Sequence, residues 1–555
     1  MESKIHFTFD ASKTLHEYDD FFHAVGYDEI LATSSPLGRA SIKLLDELDT
    51  GIKYIRIHNM FTGSQGDLRG HVDAGCNPIV KYSDGRLDFD WTKMDSVFDV
   101  LIENNFIPYI EFGFMPPELS SACSGDKKLW RYPPKDYQAW RELIRETVAH
   151  FKGRYPDRIQ EFLWEVWNEP NRLWLIPGYF KGKSSDYFKL YDYTAAGLLD
   201  IFPDGDFKLG GPALSGKWLP FLNKFLKHCL YGRNYVTGEI GSKMDFVSFH
   251  LKGGAYFQTP NIKKIIKNLR THMKLISTYK KDGWRARLRG NRNYLPDDVE
   301  IHITEMDPVV GCARGIESNK NLNFRNTEYY SAYTGFMATW FQYVRIQKNY
   351  NLKWVFSDNI HFADEAALLE IFNGCRSPTT APFQADNLDD ALNETRVIAK
   401  PVVKGFQVLH QLQGEMFARE TPESNVFDNL TAMATRTNEK IKILVSHFNP
   451  EFDYDETRVA SINLIALKKN GIAKITEFKI DKNNNNTYRL WLEMGKPLDL
   501  SDDQYQKMKQ VELLKPTKTW NQPFNGQKLR FNCACEPQSL NYYEIEFEEK
   551  KSKKD

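Results

Sequence analysis

The chain has 555 residues, which exceeds the length of about 250–300 residues at which single hydrophobic cores stop growing, so we expect one large domain and at least one smaller one. Lysine plus arginine and aspartate plus glutamate each number 73, and the formal net charge at pH 7 is zero. This balance excludes a protein whose overall field recruits nucleic acid or an anionic membrane.

The cysteines and the first residues bear on the compartment. The opening MESKIHFTFDASK lacks the apolar core of a secretory signal, and no stretch approaches the roughly 18 apolar residues of a membrane span. Seven cysteines occur, an odd number without metal-ligand spacing, which suits a reducing compartment. We therefore expect a cytoplasmic protein with no membrane partner; secretion after removal of a signal is the alternative.

Short apolar runs alternate with helix-like segments over the first three quarters of the chain. The runs predict eight strands, at 21–26, 54–61, 106–116, 161–170, 207–213, 245–253, 299–307 and 352–358. Apolar residues at helical spacing predict helices over 91–105 and 137–151, and a last helix over 400–412. This alternation predicts a (β/α)₈ TIM barrel, an α/β fold; a doubly wound sheet is the structural alternative.

Beyond residue 414 the pattern changes to strand-like segments separated by turns, at 431–437, 440–448, 458–467, 473–480 and 542–549. We predict an appended β-sandwich domain over 414–555, ending in a charged tail. The opening KIHFTFD alternates like a strand, so residues 1–15 are expected to pair into the sandwich, and 16–413 to form the barrel. The asparagine run at 483–486 is predicted to be a solvated loop.

Two carboxylates follow apolar runs at the ends of predicted strands. In EFLWEVWNEPN (161–171) the run ends at Asn168 and Glu169, and Pro170 prevents further strand pairing. Glu305 ends the seventh predicted strand. Active sites of such barrels lie at the carboxyl ends of the strands, where this chain also has His58, Glu111, His250, Lys252, Asp307 and Asp358.

Paired carboxylates across a barrel mouth fit the hydrolysis of a glycosidic bond. One carboxyl group protonates the leaving oxygen, and the other, ionised, meets the positive charge that develops on the sugar. A separation of about 5–5.5 Å leads to retention of configuration, and one of about 6.5–9.5 Å to inversion. Strands four and seven face each other across the mouth, so Glu169 and Glu305 are the predicted pair.

Other catalytic chemistries lack a signature in this sequence. The 13 histidines are dispersed without an H-E-x-x-H pattern, and no glycine-rich phosphate loop occurs. We therefore predict no metal, no cofactor and no nucleic-acid partner. The oligomeric state is left open and includes a homo-oligomer.

Several stretches together resemble glycoside hydrolase family 39, the family of β-xylosidases and α-L-iduronidases. They follow the family's order: YIRIHNMF, IEFGFMPPEL, WNEPN, LGGPAL, VTGEIGSKMDFVSFHLKGGA, ITEMDPVVG and KIDKNNNNTYRLWLEMGKP. The resemblance covers roughly residues 20–515. It implies a retaining barrel enzyme that takes an oligosaccharide or another glycoside as its substrate.

The resemblance also implies roles for individual residues. Glu169 matches the acid/base of the family and Glu305 its nucleophile. Asn168 is expected to hydrogen-bond the 2-hydroxyl of the sugar, an interaction that strengthens in the transition state. His58 and His250 are expected to contact the sugar.

The terminal sugar is decided around C5, where β-D-xylose has only hydrogens and α-L-iduronic acid has a carboxylate. The resemblance implies that iduronidases of the family hold this carboxylate with a lysine, an aspartate and an arginine, matched here by Lys252, Asp358 and Arg376. Cations at a barrel rim also commonly pair with neighbouring carboxylates. We expect an exo-acting β-xylosidase; the alternative is a uronate-directed, α-L-iduronidase-like enzyme, and a remote one is a non-catalytic carbohydrate-binding protein.

Overall fold

The computed structural model describes residues 5–27, 30–63, 75–171, 178–290, 293–311, 314–358, 370–419, 429–437, 440–467, 470–525 and 527–549. Its first strands are β1 (Ile5–Glu17), β2 (Ala24–Tyr27), β3 (Tyr54–Ile57), β4 (Ile79–Ser83), β5 (Arg86–Phe89), β6 (Ile107–Phe112), β7 (Leu163–Val166), β8 (Lys208–Leu214), β9 (Phe246–Lys252), β10 (Glu300–Asp307), β11 (Leu352–Ser357), β12 (Thr379–Thr380) and β13 (Ile398–Ala399). The remaining strands are β14 (Glu415–Arg419), β15 (Leu430–Arg436), β16 (Lys440–His447), β17 (Arg458–Ile465), β18 (Gly471–Ile480), β19 (Lys518–Phe524), β20 (Lys528–Cys535) and β21 (Ser539–Glu549).

The helices alternate with the strands over the first part of the chain. They are α1 (Pro36–Glu47), α2 (Thr92–Glu103), α3 (Tyr137–Arg154), α4 (Ser184–Leu199), α5 (Leu219–Tyr231), α6 (Ile262–Ser277), α7 (Trp284–Arg287), α8 (Glu328–Lys348), α9 (Leu388–Leu392), α10 (Pro401–Gln411), α11 (Thr487–Glu493) and α12 (Asp502–Glu512). None of these described helices is long and apolar enough to cross a membrane.

Eight parallel strands close into a barrel in the order β10, β11, β2, β3, β6, β7, β8 and β9. The first strand, β2, pairs with the last, β11, and with β3, so the sheet has no free edge. This closure confirms the predicted (β/α)₈ barrel and excludes the doubly wound alternative, which is an open sheet. Every barrel strand lies within two residues of a predicted run or inside it, because strands buried on both faces read as apolar runs.

The strands after residue 414 form one antiparallel-rich sheet with β1, in the order β19, β18, β21, β16, β15, β14, β1, β17 and β20. This sheet folds over on itself, because Phe531 of β20 and Tyr543 of β21 face each other with ring centroids 5.0 Å apart. The fold is thus the predicted barrel with an appended sandwich, and β1 pairs with β14 and β17. The domain limits stay a prediction; α10 ends at Gln411, and β14 begins at Glu415.

The barrel and the sandwich pack closely along α8. Ser446 of β16 donates a hydrogen bond of 2.7 Å to the carbonyl oxygen of Ala332. Gly335 lies where a Cβ would come within 2.1 Å of the Leu540 Cδ1 of β21, so a larger residue would force the two elements apart. The sandwich therefore braces the side of the barrel that carries α8.

The segment between β18 and β19 differs from its prediction. It contains α11 and α12, which were not expected in the sandwich. Asn486 is buried rather than solvated: its side chain caps α11 by accepting from the Arg489 amide and donates to Glu328 at 2.9 Å. Four consecutive asparagines have the composition of a loop, but asparagine is also a favoured N-cap residue of helices. The helix that follows was missed because its apolar stripe is short.

A buried lysine in α10 gives a testable pH dependence. Burial lowers the pKa of Lys404 from 10.5 to about 7, against the opposing effect of Glu512. Among the described residues its ammonium has no hydrogen-bond partner. Below pH 7 Lys404 is protonated in both the folded and the unfolded chain, so the cost of burying its charge lowers the free energy of unfolding in full. Between about pH 7 and about pH 10.5 only the unfolded chain keeps the proton, so the free energy of unfolding rises with pH.

We expect Lys404→Met to raise the free energy of unfolding by an amount on the order of 3 kcal/mol at pH 6, and by little at pH 10. Urea unfolding across this range measures the effect. The exposed Lys348→Met of α8 is the matched control and should change stability by about 0.5 kcal/mol or less at each pH. If the gain in the free energy of unfolding of Lys404→Met does not shrink as the pH rises, the buried charge of Lys404 is not its cause.

Candidate active site

The mouth of the barrel gathers all eight side chains predicted for the site, and all are buried or nearly so. In chain order they are His58, after β3; Asn168 and Glu169, after β7; His250 and Lys252, in β9; Glu305, in β10; Asp358, after β11; and Arg376, in the following loop. Contacts of 3.6 Å or less connect all eight, with Arg56 as the only further residue needed. The predicted residues thus form one cluster.

Glu169 lies in a backbone conformation that few non-glycine residues adopt. Its φ is 45°, and that of Trp167 two residues earlier is 63°. The Glu169 amide donates 3.0 Å to the carbonyl oxygen of Ala213, beside the end of β8, which holds the turn in place. Left-handed residues cost free energy and persist where the surroundings enforce them, often at functional sites. The turn carries the Glu169 carboxylate into the mouth.

His250 lies between the two predicted catalytic carboxylates. Its Nδ1 is 3.0 Å from Oε1 of Glu169 and 3.2 Å from Oε2 of Glu305. One donor atom from each of the three residues lies within 4.8 Å of the others. One ring nitrogen therefore contacts an oxygen of each carboxyl group and holds the two groups side by side. Such a pair can supply a proton donor and a nucleophile across one bond.

Both oxygens of Glu305 face a cation. Nη1 of Arg56 is 3.4 Å from Oε1, and Nζ of Lys252 is 3.2 Å from Oε2. Glu305, the predicted nucleophile, is thus in contact with two positively charged side chains.

Arg56 is the centre of a buried polar network that the sequence analysis did not assign. Its side chain is fully buried, and it donates 2.7 Å to Glu165 and 2.5 Å to Glu111, both also fully buried. Burial opposes its charge, yet the surrounding carboxylates, led by Glu165 and Glu111, hold the pKa of Arg56 above its ordinary value. The signal was present: Arg56 and Glu165 are charged residues inside runs that read as buried strands, and such charges require partners.

The same guanidinium orients two of the predicted substrate-binding residues. Nη1 of Arg56 lies 2.6 Å from Nε2 of His58, and Nη2 lies 3.3 Å from Oδ1 of Asn168. Because a guanidinium only donates, His58 accepts at Nε2 and is neutral, and Asn168 accepts through its oxygen. The amide nitrogen of Asn168 is then left to donate elsewhere.

We expect Arg56→Met to destabilise the fold by about 3–5 kcal/mol, because it leaves Glu111 and Glu165 as uncompensated buried charges. Urea unfolding at pH 7 measures the loss. The matched control is Arg154→Met, which removes a half-exposed ion pair with Asp99 on the outside of the barrel and should cost about 1 kcal/mol or less. Equal losses in the two variants would contradict the role of the buried network.

A second charged cluster lies beside Glu305. Nζ of Lys252 is 2.8 Å from Oδ2 of Asp307 and 2.6 Å from Oδ2 of Asp358, and Arg376 approaches Asp358 at 3.6 Å. Burial opposes the charge of Lys252, but the carboxylates, led by Asp307 and Asp358, hold its pKa above the ordinary value. Tyr330 fixes Asp307 by donating 2.8 Å to its Oδ1. The two cations predicted for a uronate clamp are therefore close together and already face carboxylates.

Comparison with known proteins identifies the family. The family model for "Glycosyl hydrolases family 39" matches residues 6–528. The chain belongs to family 39 of the glycosyl hydrolases. Membership makes this chain a glycosidase that acts on a glycoside substrate, as the paired carboxylates predict.

The family 39 chain has relatives of two kinds. It is 26% identical over 508 residues to the β-xylosidase of Caldicellulosiruptor saccharolyticus, covering 90% of this chain and 89% of that one. It is 22% identical over 493 residues to the α-L-iduronidase of Mus musculus, covering 83% and 67%. Among solved structures, the bacterial orthologue of human α-L-iduronidase has a TM-score of 0.76 at 19% identity, covering 99% of this chain and 84% of that one, and so shares its fold.

In this family 39 glycosidase the segment 479–497 braces the loop that carries Arg376. Trp491 and Tyr488 of α11 pack on Phe372, each with ring centroids 5.3 Å away. Trp491 itself is held by a hydrogen bond of 2.9 Å from its Nε1 to the Pro497 carbonyl. The sequence analysis singled out this segment without a function. Its tryptophan and Lys-Pro spacing serves to fix the far wall of the site.

Two groups in the described part of the chain have donor atoms close enough to hold a metal ion. One is Glu169, His250 and Glu305, which belongs to the site above; the other is Asp20, His23 and His410, at the opposite end of the barrel. The first group is explained by glycosidase chemistry, which requires no metal. The second has no part in that chemistry.

Proposed function

We propose that this family 39 glycosidase works with retention of configuration, with Glu169 as acid/base and Glu305 as nucleophile. The observation that carries the proposal is the approach of their carboxylate oxygens to within 4.8 Å of each other, with His250 touching both. This upper limit lies below the separation of about 6.5–9.5 Å of inverting enzymes, which supports the closer spacing of about 5–5.5 Å typical of retaining enzymes.

The reaction then has two steps. Glu305 attacks the anomeric carbon while the glycosidic C–O bond breaks, and the leaving oxygen takes the proton of Glu169. In the second step Glu169 takes a proton from water, which attacks the same carbon and releases the Glu305 carboxylate. Arg56 and Lys252 contact the two oxygens of the Glu305 carboxylate that begins and ends the cycle. Asn168, oriented by Arg56, donates its amide hydrogen to the 2-hydroxyl.

For the terminal sugar we propose β-D-xylose, released from the end of a glycoside. The charge balance beside Glu305 supports a neutral sugar, because the ammonium of Lys252 already faces Asp307, Asp358 and Glu305 within 3.2 Å. A uronate carboxylate would enter a cluster in which three anions surround this cation. The relative that matches most of both chains at 26% identity is a β-xylosidase, which supports the same choice.

A second candidate is a uronate-directed enzyme, and one observation favours it. Two buried cations, Lys252 and Arg376, lie in one corner of the site and share Asp358. A guanidinium beside an ammonium can bind a carboxylate strongly, and a pentose makes no use of it. The α-L-iduronidase relative at 22% identity supports this reading.

Hydrolysis of two fluorogenic substrates, a β-D-xyloside and an α-L-iduronide, by the wild type and by Arg376→Gln separates the candidates. A xylosidase prefers the xyloside, and the variant changes kcat/KM for the xyloside by less than about threefold, since Arg376 approaches Asp358 and a pentose offers it no carboxylate. A uronate enzyme prefers the iduronide and loses about 10–100-fold on it in the variant.

The choice of Arg376 rather than Lys252 matters for this test. Lys252 also faces Oε2 of Glu305 at 3.2 Å, so its removal should slow both substrates and would not discriminate between them. Arg141→Gln is a matched control: it removes a guanidinium that pairs with Asp200 on the outer helices. The control should leave both activities and their ratio unchanged. Hydrolysis of neither substrate would overturn both sugar assignments while leaving the glycosidase assignment in place.

A further inference from the structure

Three side chains that take no part in glycosidase chemistry converge at the amino end of the barrel. Asp20 and His23 lie just before β2, and His410 lies in the last turn of α10. One donor atom from each lies within 4.8 Å of the others. Asp20 and His23 are close in sequence and His410 is far from both, so the cluster joins the start of the barrel to its last helix.

The hydrogen bonding of His23 leaves a lone pair aimed at a carboxylate. His23 is fully buried, and its Nε2 lies 3.1 Å from the carbonyl oxygen of Phe406. Both ring nitrogens face a carbonyl oxygen, and a neutral ring carries one proton; the shorter contact, to Phe406, assigns that proton to Nε2 and the lone pair to Nδ1. This Nδ1 lies 3.5 Å from Oδ1 of Asp20 and 3.4 Å from the Asp20 carbonyl oxygen. Three acceptors therefore face one another, which is unfavourable without a cation between them.

His410 faces the same carboxylate from the other side. Its Nδ1 is 3.4 Å from Oδ2 of Asp20, and its Nε2 is 3.5 Å from Oδ1 of Asp49. Within the described residues, the buried atoms Oδ1 of Asp20 and Nδ1 of His410 both lack a hydrogen-bond partner. Gly51 packs against the ring, since a Cβ there would come within 2.3 Å of Nδ1, and this contact limits the orientation of the ring.

We propose that Asp20, His23 and His410 bind a zinc ion, with Nδ1 of each histidine and one carboxylate oxygen as ligands. The separations of 3.4 and 3.5 Å between nitrogen and oxygen are long for hydrogen bonds. Each is close to the edge of about 3.4 Å that follows for a tetrahedron with zinc bonds of about 2.1 Å; they end on different oxygens, Oδ1 and Oδ2, so the carboxylate has to turn to place one oxygen near both nitrogens. Two imidazoles and a carboxylate are a ligand set that zinc prefers.

The surroundings supply what a zinc site requires beyond its ligands. The far nitrogen of each imidazole faces an acceptor, the Phe406 carbonyl for His23 and the Asp49 carboxylate for His410, as is usual for metal-bound histidines. Asp20 also lines an open groove between the barrel and the sandwich. The groove provides an entry path and room for a water as fourth ligand; of the acids on its wall, Asp19 pairs with Arg345 and Glu415 with Arg436.

A zinc ion here would join two parts of the fold. It would tie the segment that links β1 to the first barrel strand to the end of α10, which three residues separate from β14. Both ends of the connection between barrel and sandwich would thus be held at one point. The ion lies at the end of the barrel opposite the mouth, so its role is structural, and it should raise the melting temperature without entering the hydrolysis.

The test is zinc binding to the full chain, which is first treated with a chelator; the chelator is removed before zinc is added. Isothermal titration and metal analysis after dialysis should give one zinc per chain, and zinc should raise the Tm. His410→Gln and Asp20→Asn should lower the affinity at least 100-fold and remove the Tm shift, while each keeps its glycosidase activity. Two variants guard against a single one that fails to fold.

Two controls separate this site from other places where zinc could bind. Glu305→Gln disables the three-donor group at the mouth, and it should leave zinc stoichiometry and affinity unchanged. His16→Gln removes an exposed histidine from the wall of the same groove and should also bind zinc normally. The proposal is overturned if the wild type binds no zinc, if His410→Gln binds it as well as the wild type, or if Glu305→Gln loses it. In the first case His410 instead carries a proton between Asp20 and Asp49.

Discussion

Replacing Glu305 by alanine is expected to lower kcat/KM by a factor on the order of 10⁴ or more, with little change in the free energy of unfolding. The loss is large because the variant has no nucleophile and no anion opposite the developing positive charge, two contributions that fail together. Stability should persist because Arg56 and Lys252 retain their stronger contacts, to Glu111 and Glu165 and to Asp307 and Asp358. Steady-state kinetics and urea unfolding measure the two quantities.

Azide distinguishes the proposed nucleophile from a residue that only holds the substrate. In Glu305→Ala the space beside the anomeric carbon admits azide, which attacks the carbon as an activated aryloxide leaves. The product should be a glycosyl azide of inverted configuration, formed at a rate that rises with azide concentration. Glu300→Gln is the matched control, since Glu300 lies at the other end of β10 and pairs with Lys208. Hydrolysis at the wild-type rate in Glu305→Ala would refute the assignment and revive a non-catalytic role.

The fold was largely predictable because its local signals agree. Barrel strands buried on both faces read as apolar runs, and the helices between them show stripes at helical spacing. The helices α11 and α12 were not predicted, since α11 has only seven residues and the asparagine run before it resembles a loop. The packing of Phe372 on Trp491, which makes this short helix stable, is a tertiary contact that no local pattern contains.

The site was predictable wherever position along a strand determines function. Polar residues at carboxyl ends of barrel strands all reach the mouth, so His58, Asn168, Glu169, His250, Lys252, Glu305 and Asp358 could be named from the sequence. Arg56 and Glu165 were not named, because they lie inside strands where the search for strand ends does not look. Arg376 was named through the family resemblance, and its position depends on a loop whose path the sequence does not encode locally.

Which neighbour neutralises which charge could not be predicted at all. Lys252 was expected to bind substrate, yet the structure surrounds it with Asp307, Asp358 and Glu305. Pairing of this kind depends on distances of a few ångströms between strands β9, β10 and β11. The consequence is functional: the same lysine contacts the proposed nucleophile, Glu305, and occupies the corner where the substrates of the two candidate enzymes differ.

Replacing Glu169 by alanine is expected to slow poor leaving groups far more than good ones. For an alkyl xyloside or xylobiose, kcat/KM should fall by a factor on the order of 10²–10⁴, the usual contribution of a general acid. For a dinitrophenyl xyloside, whose leaving group needs no proton, kcat/KM should fall by less than about tenfold. Its kcat should still drop, because breakdown of the glycosyl-enzyme lacks the base that activates water.

The contrast between substrates is what assigns the proton transfer to Glu169. A residue that merely binds sugar would lower kcat/KM by the same factor for both leaving groups, because both carry the same sugar. Glu161→Gln, at a half-exposed glutamate just before β7 that pairs with Arg158, should change neither value. Equal losses on both substrates in Glu169→Ala would therefore show that this carboxyl group positions the sugar and that the proton comes from another group. His250, 3.0 Å from Glu169, would then be the first to replace.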